Sequence, residues 1–208
     1  MTVIGITGGI GSGKSVVSRL LETYGVPVYN ADRESKRLTV SSPVLRERLT
    51  ALLSADIYTS EGLNRALMAE RIFRDTVLLE QVNAIIHPEV SKDFDCWKAG
   101  LQTEVCGLES AILFESGFNR KVDWTLMVDA PEEVRLSRVT VRDGVSEADV
   151  RRRMSYQWPD ERKKALADKV VLNDEHTPLI PQMEALMAEL GGIDRKSTRL
   201  NSSHGRRS

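Results

Sequence analysis

The chain has 208 residues, enough for one domain with insertions, and its 41% hydrophobic and 28% charged residues match ordinary globular composition. That mix excludes disorder and collagen-like repeats. With 29 Lys and Arg against 30 Asp and Glu, bulk charge draws in neither nucleic acid nor an anionic membrane.

Its apolar runs fall far short of the roughly 20 residues that span a bilayer. The N-terminus shows no basic segment or signal cleavage pattern, and Cys96 and Cys106 fit no metal or redox spacing. The expectation is a cytoplasmic protein with reduced thiols, a monomer or small homo-oligomer acting on small molecules.

Taken in chain order, Val3 to Thr7 is a β-branched run bounded by glycine, as expected of a strand buried on both faces. Val16, Val17, Leu20, Leu21 and Tyr24 then recur at helical spacing, Gly25 closes the helix, and Val26 to Tyr29 forms a second strand. This βαβ unit predicts a parallel sheet. Residues 32–100 carry apolar residues at helical intervals, with breaks predicted near Ser41-Ser42-Pro43, Ser60-Glu61-Gly62 and His87-Pro88. They are too many for one crossover helix and predict an inserted helical subdomain.

Strand texture returns at Glu104–Phe114, Val122–Val128 and Lys169–Leu172. Pro131 opens a helix that Gly144 ends, and Ser146 to Asp149 cap the next. Thr177-Pro178 opens a last helix, with Gly191-Gly192 expected to stop it after Leu190. Residues 193–208 lack periodicity and resemble a translated sequencing adapter, so they are expected to be a non-native tail. Without their five basic residues and one acid, 24 Lys and Arg face 29 Asp and Glu, a net of -5.

The strongest chemical signal is Gly8-Gly9-Ile10-Gly11-Ser12-Gly13-Lys14-Ser15, which fits G-x-x-x-x-G-K-[ST] between a strand and a helix. Such a loop points successive N–H groups at phosphate oxygens, with the helix's positive end behind them. Lys14 then bridges the β- and γ-phosphates, and the Ser15 hydroxyl holds Mg²⁺. No Asn-Lys-x-Asp guanine motif follows, which favours ATP; Asn173 lies where a base is within reach.

Asp32, after the second strand, reads either as a base for an attacking hydroxyl or as a helix N-cap. Arg135, Arg138, Arg142, Arg151, Arg152 and Arg153 gather in one stretch. Arg138 and Arg142, on one helix face, suit a lid that clamps migrating phosphate, although any one arginine also reads as a solvated surface residue. His87 reads as a helix-end residue or a substrate contact, and Glu109 and Glu115 as Mg²⁺ or substrate partners or as salt bridges. The three tryptophans read as packing.

Together, residues 5–15, Gly25-Val26-Pro27-Val28, Ala31-Asp32, Gly62-Leu63-Asn64-Arg65, Ile86-His87-Pro88, Leu113-Phe114-Glu115, Val122-Asp123, Arg138, Arg142-Asp143, Gln157 and Ala167-Asp168 resemble the dephospho-CoA kinase family. The resemblance covers residues 3 to about 190 and implies transfer of the ATP γ-phosphate to the ribose 3′-hydroxyl of dephospho-CoA.

It implies an α/β P-loop NTPase three-layer fold with a parallel sheet, a helical substrate subdomain and a helical lid. The single domain 1–192 divides into a core of 1–31, 101–134 and 166–192, an insertion of 32–100 and a lid of 135–165. It makes Asp32 the base and gives the ATP phosphates to Gly11, Ser12, Gly13, Lys14, Ser15 and Val16. Arg138 and Arg142 go to the lid, and Thr7, Arg65, His87 and Gln157 to the acceptor.

Asn30, Val16, Glu109 and Ala111 depart from the family pattern, which has Asp, Thr and an Asp-x-Pro there; the role of position 109 is left open. A nucleoside monophosphate kinase and a nucleotide-dependent switch remain as rival readings.

Overall fold

The structure is a computed structural model that describes residues 1–60, 62–72 and 75–203, with side chains described through residue 191. β1 (Thr2–Thr7) leads through the glycine loop into α1 (Lys14–Thr23) and β2 (Val28–Asn30). The insertion follows: α2 (Ala31–Ser41), α3 (Pro43–Leu53), a hairpin of β3 (Tyr58–Thr59) and β4 (Gly62–Leu63), α4 (Arg65–Ile72) and α5 (Thr76–Ala99). Then come β5 (Val105–Glu109), β6 (Trp124–Asp129), α6 (Glu132–Asp143), α7 (Glu147–Met154), α8 (Asp160–Leu166), β7 (Lys169–Leu172) and α9 (Leu179–Ser203).

Five parallel strands pair in the order β2-β5-β1-β6-β7. Side chains of a strand alternate between faces, and β1 divides its residues accordingly. Ile4 and Ile6 join Val17 and Leu21 of α1 and Met183 and Leu186 of α9 on one face. Val3 joins Leu45 and Leu49 of α3 and Val90 and Phe94 of α5 on the other. The insertion therefore shares a core with the sheet, and the result is the expected three layers. All five strands run the same way, so β1, β2 and β5 deliver Thr7, Asn30 and Glu109 to one edge.

Three expectations differ from the structure, and one element was not foreseen. The strand predicted over Glu104–Phe114 stops at Glu109, and the chain turns once Ser110 has donated to the Ile6 carbonyl at 2.9 Å. The apolar residues beyond are buried by that turn: Leu113 packs so closely under Gly5 that a Cβ there would lie 2.7 Å from its Cδ2.

No break occurs at His87-Pro88, because α5 runs through the proline. An interior proline costs about 3 kcal/mol. The stripe Val82, Ile86, Val90 and Phe94 crosses it unbroken, each residue contributing about 1.5–3 kcal/mol on full burial. The β3–β4 hairpin was not predicted, since two-residue strands leave no alternating pattern to read. Finally, α9 continues past the glycine pair, where Gly191 does not take the left-handed conformation that ends a helix. The expected tail thus begins within α9, and its residues 204–208 lie outside the described residues.

Candidate active site

The glycine loop occupies the turn from β1 into α1, and its glycines are required by close approach as much as by backbone angle. Gly13 opens α1 with φ 94°, a left-handed conformation. A Cβ on it would collide with Nδ2 of Asn173, which donates to the Ser12 carbonyl at 2.8 Å. A Cβ on Gly9 would meet the Arg135 guanidinium. Distant segments thus grip the loop from both sides. Asn173, expected near a base, braces the loop backbone.

Lys14 is buried, and its ammonium donates to the carbonyls of Gly8 at 3.0 Å and Gly9 at 3.2 Å. Burial lowers its pKa below the usual lysine value, the carboxylates of Asp32 and Glu109 oppose that change, and the charges of Lys163 and Arg135 reinforce it. Ser15 and Val16, one and two residues on, are exposed at the start of α1. Ser12 is buried.

Asp32 does not cap its helix. The side chain of Asn30 fills that role, accepting from the Arg33 N–H at 2.8 Å, and this leaves Asp32 free in the first turn of α2. Its Oδ2 accepts from the Ala111 N–H at 3.3 Å. Glu109, at the end of β5, is also buried. Burial raises its pKa above the usual carboxylate value; the Ser18 hydroxyl, Lys14 and Asn30 act against that, while Asp32 adds to it. Two carboxylates thus converge on the loop lysine.

The segment expected to form the lid meets the loop directly. Gln157, placed on the acceptor side by resemblance, accepts from the Ile10 N–H at 2.9 Å through its Oε1 and so holds the loop. Arg138 reaches Glu175 at 3.3 Å with Nε, while its second guanidinium nitrogen is buried, without a partner, and 4.0 Å from where a Gly13 Cβ would be. Arg142 turns away: its Nε binds Asp143 at 2.7 Å, and its side chain is 63% exposed. The predicted two-arginine clamp is therefore one arginine at the loop and one on the surface, because Asp143 offers a nearer carboxylate.

The residues expected on the acceptor side lie on three different elements, β1, α4 and α5. Arg65 is exposed and donates to the Lys36 carbonyl at 3.1 Å. His87 sits mid-helix with its ring centroid 5.9 Å from that of Phe118, and burial lowers its pKa below the usual imidazole value. Thr7 is fully buried at the end of β1, its hydroxyl without a partner.

The burial of two cations was not foreseen: Arg135, expected only as one of the arginine cluster, and Lys163. Arg135 is buried among Ala130, Ile10 and Asp160, bonding their oxygens. Its neighbours Leu136 and Val139 mark the buried helix face on which it lies, a readable signal. Lys163 has 0% exposure inside the charged run Asp160 to Lys164, where no apolar periodicity betrays it. A cleft of about 1020 Å³ opens beside Arg135, Gln157 and Trp158, but Lys14, Ser15 and Asp32 do not line it.

Comparison with known proteins supplies a family. A family model described as dephospho-CoA kinase matches residues 2–178. A dephospho-CoA kinase of Porphyromonas gingivalis is 50% identical over 184 residues, 88% of this chain and 91% of that one. One from Bacteroides fragilis is 46% identical over 188 residues, 90% and 92% of the two chains. Among solved structures, a Thermus thermophilus protein superposes with TM-score 0.79 at 35% identity, covering 91% of this chain and 97% of its own. Dephospho-CoA kinase from Campylobacter jejuni shares the fold, with TM-score 0.64 at 18% identity over 94% and 98% of the chains.

Proposed function

This chain belongs to the dephospho-CoA kinase family, and on that premise we propose how its residues move the γ-phosphate of ATP to the ribose 3′-hydroxyl of dephospho-CoA. Asp32 takes or orients the hydroxyl proton. The observation that carries this reading is its position: a carboxylate freed from capping by Asn30, whose charge acts on the buried Lys14 of the phosphate loop.

The loop N–H groups of Gly11 to Val16 bind the phosphates, with the N-terminus of α1 behind them. Lys14 and Arg138 neutralise charge as the phosphoryl group transfers. Gln157 and Asn173 hold the loop backbone rigid, so that no reorganisation is needed at the moment of reaction. Thr7, Arg65 and His87 belong to the acceptor side, and Arg142 remains at the lid surface.

Mg²⁺ suits this donor set. Ser15 presents an exposed hydroxyl one residue after Lys14, and among the described residues no cluster of three His, Cys, Asp or Glu forms a protein cage. That matches an ion held chiefly by substrate phosphates and water. Held there by Ser15, the ion would supply charge neutralisation as the phosphoryl group transfers. No described helix is long and apolar enough to cross a membrane, and we place the reaction in the cytoplasm, catalysed by a monomer or small homo-oligomer.

A coupled ADP-release assay tests the reading, with dephospho-CoA set against AMP, CMP and shikimate. Turnover with dephospho-CoA alone is expected. A preference for a monophosphate would reassign the acceptor, and acceptor-independent nucleotide binding without turnover would point to a switch.

A further inference from the structure

The phosphate-transfer route above leaves one fully buried charge unused. Lys163 lies on α8, in the lid, yet its side chain has 0% exposure. Burying an ammonium is costly unless it is paired and hydrogen-bonded. Its Nζ donates to the Ala111 carbonyl at 2.7 Å and pairs with Glu115 Oε1 at 2.8 Å. The same Glu115 oxygen accepts from the Trp158 N–H at 2.8 Å, so the lid is fastened twice to the turn that follows β5.

That turn is also where Asp32 is held. The Ala111 N–H donates to Asp32 Oδ2 at 3.3 Å, while the Ala111 carbonyl accepts from Lys163. One residue thus joins the lid lysine to the carboxylate assigned as base. A proline at this position, as in the family pattern, would have no N–H to offer, so the link to Asp32 belongs to this chain's alanine. Lys163 is also close enough for its charge to act on Lys14.

We propose that Lys163 is a positioning residue for Asp32, acting through Ala111, so that the base is correctly aimed only while α8 is seated on the core. The proposal rests on the assignment of Asp32 as the base. It deepens that assignment by naming a lid residue that sets the base's geometry. Proximity effects are steep: a misplacement of about 1 Å costs on the order of a hundredfold in rate.

The test compares steady-state transfer to dephospho-CoA, ATP affinity and Tm for the full chain and for Lys163→Arg, Lys163→Met, Ala111→Pro, Asp32→Asn and the Asp32→Asn/Lys163→Met double variant. Lys163→Met is expected to lower kcat by about 10- to 100-fold while ATP affinity stays within about threefold. Lys163→Arg should restore most of the loss. Ala111→Pro, which removes the N–H facing Asp32 and stiffens the turn but keeps the carbonyl that accepts from Lys163, should lower kcat by a smaller factor at unchanged ATP affinity. In the Asp32→Asn background, Lys163→Met should change the residual rate by less than about twofold.

Loss of ATP affinity in step with kcat would overturn the proposal, as would full additivity in the double variant or full turnover by Ala111→Pro. If Lys163→Met fails to fold, Ala111→Pro and Lys163→Arg decide the matter by the same criteria. Absence of dephospho-CoA turnover in the unmodified chain would instead refute the parent reading. Full turnover by Asp32→Asn would remove the base assignment and this proposal together.

Discussion

The phosphate loop and the helical insertion meet at one end of the sheet, but they are held by different means. The loop is backbone gripped by side chains from far along the chain: Asn173 on the Ser12 carbonyl, Gln157 on the Ile10 N–H, and Arg135 against Gly9. Its geometry is set before any ligand arrives. The insertion has a well-packed apolar core, and the polar residues assigned to it, Arg65 and His87, sit on separate helices, each with a partner of its own rather than with the other. The loop is therefore preorganised through its backbone, whereas no comparable brace joins the two residues proposed for the acceptor among the described contacts. Asp32 stands at the junction, on the first turn of the first insertion helix and beside the loop lysine.

The largest expected effect lies at that junction. Asp32→Asn preserves shape but removes the proton acceptor, and turnover should fall by about 10²- to 10⁴-fold, the range typical of general acid–base groups. ATP affinity should barely change, because the loop is held by other residues. Single-turnover kinetics with titrated ATP check both parts, and a proportional loss of ATP binding would merge the two halves that the structure separates.

Next comes the loop itself. Gly13→Ala forces a side chain into a left-handed position already crowded by Asn173, with a strain of about 1–3 kcal/mol. The result should be a lower Tm and an ATP affinity weakened at least about tenfold. Wild-type ATP binding by this variant would mean that the loop is not rigid.

The same contrast governs what the sequence could disclose. The loop was legible because its function requires glycine, lysine and serine at fixed spacing, and a strand and helix on either side supply context. The parallel sheet was legible for a similar local reason. Pro88 misled, because a local helix-breaking rule yielded to the buried stripe of α5, which only tertiary packing enforces. Asn173 and Gln157 were noticed but given other roles, since nothing in a linear pattern says that a distant amide will brace a backbone. Lys163 was invisible: within a run of charges, burial of one member is decided by where α8 docks. Spacing alone left Asp32 between base and cap, the family resemblance chose the base, and the structure gives the cap to Asn30.

A smaller effect separates the two lid arginines. Arg138 has an unpartnered nitrogen beside the loop, so Arg138→Ala should lower kcat by about tenfold or more through lost charge stabilisation. Arg142 spends its charge on exposed Asp143 contacts of the kind that contribute about 0–1 kcal/mol, and Arg142→Ala should stay within about twofold of the unmodified rate. Paired kinetics on the two variants decide it. Equal losses would show that Arg142 swings inward when substrate binds, so that this helix is rearranged by its ligand.

The smallest effect concerns stability rather than rate, and it probes the cost of preorganising the donor side. The Glu109 carboxyl is held above its ordinary value of 4.5, chiefly by burial. Between that value and its higher folded-state pKa, the folded chain binds more protons than the unfolded chain. Stability contributed by this group therefore falls as pH rises through that window and is fully lost above it. Glu109→Gln removes the titration while keeping the shape, so its Tm should gain on the unmodified chain as pH is raised from about 4.5 to 8. Carboxylates held low elsewhere, such as Glu34 and Asp93, change stability in the opposite sense. They are common to both proteins and cancel in the difference. Thermal melts across that range are the check. Parallel curves would mean that Lys14 and the nearby hydroxyl already offset the burial of Glu109, leaving the loop's preorganisation without this electrostatic cost.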